Sequence, residues 1–208
     1  LYDTWLEYAL LIFPSQFLNN DEQVVFAERF GNLEFDLASI TNVDKSGQAH
    51  YDPNEDWVKS IKGNMGWHCD STYMPVQAKG AVFTAHTVPS SGGETGWADM
   101  CAAYDALGNT MRDRIDGLSA HHSLVYSQSK SGFTHKSKDS EYSGYGLDQE
   151  GAPLRPLVKT HAETGRKTLT IGRHAHAIPG LSDANSEALL AELVDFACQP
   201  PRIYHHSW

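Results

Sequence analysis

Gly66-Trp67-His68-Cys69-Asp70-Ser71-Thr72-Tyr73 is the stretch on which the reading of this chain turns. In an extended strand successive side chains alternate faces, so His68 and Asp70 point one way and Cys69 the other. An imidazole and a carboxylate on one face are two of the three donors of a 2-His-1-carboxylate site. That site holds Fe(II) and leaves positions open for oxygen chemistry. A His followed two places on by an acid occurs three times, at His50/Asp52, His68/Asp70 and His161/Glu163. Context separates them. His50/Asp52 lies in a polar, Pro-punctuated loop, and His161/Glu163 runs into Thr164-Gly165, a hairpin tip. Only Trp67-His68 lies between glycines and a long apolar segment. The bland alternative for His68 and Asp70 is a hydrogen-bonded core pair.

Outward from that stretch, 208 residues make one domain with room for a substantial core. A 40% hydrophobic content with 17 Gly and 9 Pro describes a folded, turn-rich chain. The longest apolar run, Ala9-Leu10-Leu11-Ile12-Phe13, stops at Pro14, too short for a membrane span. A net charge of −10 without any Lys/Arg cluster argues against nucleic acid. It leaves room for a small anionic substrate, because one or two buried cations can dominate a pocket. Cys69, Cys101 and Cys198 have no zinc-type spacing and cannot all pair, which points to a reducing cytoplasm. The first residues carry no secretory signal and no initiator Met, so the expectation is that the natural chain is longer. A homo-oligomer is compatible with all of this.

Read in order, residues 1–8 end an amphipathic helix and residues 10–13 form a buried strand. Asn20 caps a helix that Gly31 stops. Residues 37–43 form a strand, and residues 44–59 are mostly loop. Residues 80–88 make a strand closed by Pro89, and Thr95-Gly96-Trp97 lies on the strand that follows the Gly92-Gly93 turn. Asp99 starts a helix ending at Gly108, and residues 110–115 form a second. A strand over 118–126 leads into a Ser/Gly/Lys-rich lid over 127–146. Strands return at 157–159 and 168–178, where His174 and His176 share a face. Ser182 and Asp183 cap a last helix, and a strand begins at Arg202. Many short strands with Gly/Pro turns predict a mainly β protein with flanking helices, an antiparallel barrel or jelly roll.

Trp67-His68-Cys69-Asp70, Lys79-Gly80-Ala81-Val82 and the run from Pro89 to Trp97, continuing through Ala102 to Leu107, resemble the taurine/2,4-D dioxygenase family. Tyr126-Ser127-Gln128-Ser129-Lys130, Pro153 to Lys159, and Gly172 to Gly180 are similar to its phenoxypropionate (aryloxyalkanoate) branch. The resemblance covers nearly the whole chain. It implies a double-stranded β-helix, a cupin-like jelly roll, that uses Fe(II), 2-oxoglutarate and O2. His68 and Asp70 match the first two iron ligands. Thr95 matches a Thr that hydrogen-bonds 2-oxoglutarate, and Trp208 a Trp lining the same site. Asn64 matches a position near the substrate. In the family, the second His ligand and the Arg residues for 2-oxoglutarate and substrate lie on a strand after Trp208. The expectation is therefore that residues 1–208 are a single 2-oxoglutarate dioxygenase domain lacking its C-terminal strands and a short N-terminal part, with the third ligand beyond Trp208.

The same resemblance implies oxidative decarboxylation of 2-oxoglutarate to succinate and CO2, coupled to hydroxylation of a small organic acid. A hydroxylated carbon bearing an aryloxy or sulfonate group then collapses, releasing a phenol or sulfite. Tyr126, Lys130, His174 and His176 are candidate substrate contacts. Each has a plain structural alternative as a surface aromatic, a solvated charge or a hydrogen-bonded sheet residue. His205 and His206 are neighbours on a strand and face opposite ways, so at most one could be a ligand. Two rival readings are a non-catalytic jelly-roll binding domain that has lost its metal and a zinc hydrolase on a cupin-like barrel.

Overall fold

The structure, a computed structural model, describes residues 1–133 and 151–208. Helices α1 (Tyr2–Tyr8), α2 (Asn20–Ala27), followed by a 3-10 turn, and α3 (Asp56–Asn64) precede the first paired strand. Strand β1 (Thr95–Ala98) leads into α4 (Met100–Ala106), α5 (Asn109–Ile115), β2 (Ser119–His122) and α6 (Leu124–Lys130). Strands β3 (Leu154–Pro156), β4 (Val158–Thr160), β5 (Lys167–Leu169) and β6 (Ala175–His176) follow, then α7 (Asp183–Ala197) and β7 (Ile203–His206). The strands form three small antiparallel sheets: β1 with β7, β3-β2-β6, and the hairpin of β4 with β5.

The core is built where helices cover these sheets. Helix α7 is capped by the Ser182 hydroxyl, which accepts from the Asn185 amide, and buries Ser186, Leu189, Leu190, Leu193 and Ala197 on one stripe. Ala103, Leu107 and Ile115 from the α4–α5 pair join Ala120, Leu157, Leu169, Ile171, Ala175 and Ile178 in the same cluster. The Ile178 amide donates to Ser186 Oγ at 3.0 Å, tying the exit of β6 to the helix above it. Asp99 caps α4 by accepting from two backbone amides, as its sequence position predicts.

Several expectations fail for identifiable reasons. Among the described residues helix outweighs strand, so "mainly β" does not describe them. Residues 10–13 and 80–88 sit in no β-ladder, and Ile12, Phe13 and Phe83 are exposed. Apolar sequence makes a strand only where another strand meets its backbone groups. Residues 37–43 contribute one isolated bridge, Val43 to Ala49. The cap of α2 is Asn19, boxed with Glu22, one residue earlier than read. Helix α3 replaces part of the loop expected over 44–59. The strand expected over 118–126 stops at His122, because Ser123 accepts from the Tyr126 amide and starts α6. Residues 127–130 of the expected lid are therefore helical, 131–132 are a turn, and the rest beyond Phe133 lies outside the described residues. No helix among the described residues is long and apolar enough to cross a membrane.

Candidate metal and cofactor site

His68 and Asp70 converge although the segment carrying them is not a ladder strand. Backbone 67–68 is gripped from one side: the Arg173 amide donates to the Trp67 carbonyl at 2.9 Å. Gly172, at φ +133°, lets that neighbour approach, since a Cβ there would sit 3.0 Å from Trp67 O and 3.1 Å from His68 Cα. After Cys69 the chain turns through residues 70–73, with Ser71 in the left-handed region at φ +58°. The turn brings Asp70 Oδ1 to 3.2 Å from His68 Nε2.

The local chemistry suits a metal. His68 Nδ1 lies 2.6 Å from the Gly66 carbonyl and donates to it, which leaves Nε2, the nitrogen facing Asp70, as the atom that would give its lone pair to an ion. Two donors each about 2.1 Å from one ion, at roughly a right angle, stand about 3 Å apart, close to the observed spacing. Burial lowers the His68 pKa, but hydrogen bonds to Asp70 and the Gly66 carbonyl outweigh it and the net shift is upward. Hydrogen bonding to His68 leads the lowering of the Asp70 pKa. Among the described residues no group of three or more His, Cys, Asp and Glu side chains could hold an ion. The pair is two donors.

Thr95 and Trp208 are brought together. Strands β1 and β7 pair Thr95 with His206, and the Trp208 indole N–H donates to Thr95 Oγ1 at 2.8 Å. The Trp67 ring links this sheet to the His68 segment: a Cβ on Gly96 would lie 2.9 Å from it, and His205 meets it edge-on at 6.3 Å.

The four expected substrate residues have distinct partners. Asn64, the last residue of α3, accepts through Oδ1 from Gln128 Nε2 at 3.1 Å and Arg173 Nη1 at 3.2 Å. Tyr126 stacks on His176 at 4.4 Å, and its hydroxyl donates to Glu187 on α7. Lys130 pairs with the same carboxylate at 2.7 Å. His174 is buried, with Nδ1 2.8 Å from Ser127 Oγ, and stands edge-on to Tyr73 and to the His68 ring 5.5 Å away. Burial first, then the nearby His68 and Arg173, push its pKa down to about 3, so it is neutral. The common face expected for His174 and His176 is lost because His174 lies in the turn before β6.

Three functional contributors escaped the sequence reading. Arg173 spans α3 and α6, donating to Asn64 and to the Ser127 carbonyl at 2.8 Å. Gly172 lets the backbone close on His68, and Arg155 on β3 reaches the turn after Asp70. All three lie in runs that carry the family resemblance, Gly172 to Gly180 and Pro153 to Lys159, but nothing local in the sequence shows what Arg155 reaches.

This chain belongs to the taurine catabolism dioxygenase TauD, TfdA family, whose model matches residues 1–208. It is 63% identical over 209 residues to an (S)-phenoxypropionate/alpha-ketoglutarate-dioxygenase of Sphingobium herbicidovorans, covering 100% of this chain and 73% of that protein. An alpha-ketoglutarate-dependent 2,4-dichlorophenoxyacetate dioxygenase of a Burkholderia species is 37% identical over 216 residues, covering 96% and 70%. The crystal structure of AAD-2 in complex with Mn(II) and N-oxalylglycine superposes with a TM-score of 0.89 at 33% identity, covering 100% of this chain and 73% of that one.

Proposed function

We propose that this chain is an Fe(II)- and 2-oxoglutarate-dependent dioxygenase that hydroxylates a small aryloxyalkanoate such as a phenoxypropionate. The hydroxylated product then collapses to a phenol and a keto acid. The observation that carries the reading is 63% identity across the whole chain to a protein named for that substrate and for alpha-ketoglutarate, the same molecule as 2-oxoglutarate. At the residue level, the 3.2 Å approach of His68 Nε2 to Asp70 Oδ1 supports these two as metal ligands. The ligand set would be completed by a histidine beyond Trp208. The fold assigned is a single domain with a double-stranded β-helix at its centre, supported by the overlap with AAD-2. A cytoplasmic location is supported by three free cysteines.

Bound iron would supply the redox chemistry that couples O2 to decarboxylation of 2-oxoglutarate and to hydroxylation. The chain's own residues hold and orient. Thr95 accepts one hydrogen bond from Trp208, so its own O–H remains to donate to a 2-oxoglutarate carboxylate. Trp208 fixes that rotamer and lines the cofactor side. Asn64, Tyr126, His174 and His176 are assigned to the substrate side, where neutral His174 and the Tyr73 ring give an apolar, water-excluding wall. Arg173, donating to Asn64 and to the Ser127 carbonyl, is a cation on this side for an anionic substrate.

The test uses the full-length protein. Iron-loaded wild type should form succinate from 2-oxoglutarate in the presence of a phenoxypropionate, and His68→Ala should neither bind the metal nor form succinate. Undiminished succinate in that variant would remove His68 from the ligand set.

A further inference from the structure

His68 and Asp70 are held by different parts of the fold. His68 belongs to backbone 67–68, which is anchored to Gly172 and Arg173. Asp70 opens the turn of residues 70–73, and its side chain is 70% exposed, so its own packing does not fix it. Something else must keep the turn in place.

Arg155 does so. Its strand β3 pairs with β2, with Arg155 opposite Ala120, so the two side chains share the face on which Ala120 is fully buried. From there the guanidinium crosses to the turn and donates to three backbone carbonyls. Nε donates to the Thr72 carbonyl at 3.1 Å, and Nη2 to the Met74 carbonyl and, at 3.4 Å, to that of Pro75. Thr72 and Tyr73 are buried beneath it. A planar guanidinium fork satisfies several of these carbonyls in one fixed geometry.

We propose that Arg155 is a positioning residue for the metal site. By clamping the carbonyls of Thr72, Met74 and Pro75 to the central sheet, it sets where Asp70 stands relative to His68. Outer partners of this kind orient ligands without touching the ion. A lysine at 155 keeps the charge but, as a point donor, cannot span three carbonyls. The inference rests on the metal reading of His68 and Asp70 given above.

The test compares full-length wild type with Arg155→Lys, Arg155→Met and His68→Ala. Calorimetric titration of the apo proteins with Mn(II) reads metal affinity directly, and hydrogen exchange reads the amides of residues 70–74. Both Arg155 variants should fold, bind Mn(II) roughly 10- to 100-fold more weakly and exchange faster across the turn. Their lost turnover should return when iron is raised to saturation, with KM for 2-oxoglutarate unchanged. Mn(II) affinity within twofold of wild type would overturn the clamp, as would loss of turnover that excess metal does not restore. Failure of both Arg155 variants to fold would also overturn it, by making Arg155 part of the general scaffold. If His68→Ala binds Mn(II) as tightly as wild type, the metal reading itself falls, and with it the role given to Arg155.

Discussion

At the scale of single residues, His122 shows what the interior does to a titratable group. It is 1% exposed on the central strand β2, and among the described residues neither ring nitrogen has a hydrogen-bond partner. Burial first, then the Arg155 charge and the neighbouring His176 and His121, push its pKa down to about 4 from an ordinary 6.5. The folded protein therefore keeps His122 neutral, while the unfolded chain takes up a proton below about pH 6.5. Stability contributed by the neutral form is present above that pH and lost as pH falls towards 4, costing about 2 kcal/mol between pH 7 and pH 5. Urea unfolding at both pH values should show this loss in wild type and a smaller one, by about that amount, in His122→Leu. Equal losses would mean that His122 does not titrate this way. Nothing in the sequence marks His122 apart from its neighbour His121; the difference is which sheet face each occupies. His68 and Asp70 were legible because a spacing of two puts both on one side of any extended backbone. That they meet at 3.2 Å depends on a turn at Ser71 the alternation argument did not contain.

At the scale of elements, local signals were read well and long-range ones poorly. Asp99 and Ser182 cap α4 and α7 as read, and Thr164-Gly165 does turn the hairpin of β4 and β5, because caps and tight turns are satisfied within a few residues. Helix α3 carries a short apolar side, Trp57, Val58 and Ile61, inside an otherwise polar segment, and the residues it buries fully are Ser60 and Gly63, which give no hydrophobic signal. Helix α6 begins Leu124-Val125-Tyr126, of which Val125 and Tyr126 favour strands, and its buried positions are Ser127 and Gln128. Both helices pack through polar side chains gathered around Asn64, a pattern visible only once they touch. The junction between the 172–173 segment and backbone 67–68 is equally non-local. Gly172→Ala would place a Cβ 3.0 Å from Trp67 O, against backbone that cannot swing aside, at a φ of +133° that L residues avoid. Thermal unfolding should show a destabilisation of about 1–3 kcal/mol, and Mn(II) binding should weaken because His68 shifts. A variant with unchanged melting and unchanged metal affinity would show that the two segments are not in register at this point.

At the scale of the whole molecule, sites that bind only the folded state must stabilise it. With metal and 2-oxoglutarate each present at about 100 times their dissociation constants, each should add about 2.7 kcal/mol, raising the melting temperature by roughly 5–10 °C per ligand for a domain of this size. Differential scanning of the full-length protein should show the shift in wild type and lose the metal increment in His68→Ala. An equal shift in both would place the ion elsewhere. By itself, the sequence determined the family, the candidate donors His68 and Asp70, the caps of α4 and α7 and the hairpin tip. These are properties of residue order and short spacing, which survive without knowledge of what lies across the fold. Only the tertiary structure decided that residues 10–13 and 80–88 stay out of ladders, that His174 and His176 part company, and that Arg155 reaches the turn beyond Asp70. Each depends on a partner far away in sequence, 80 or more positions in the case of Arg155, and a backbone or guanidinium hydrogen bond leaves no periodic trace in the chain that makes it.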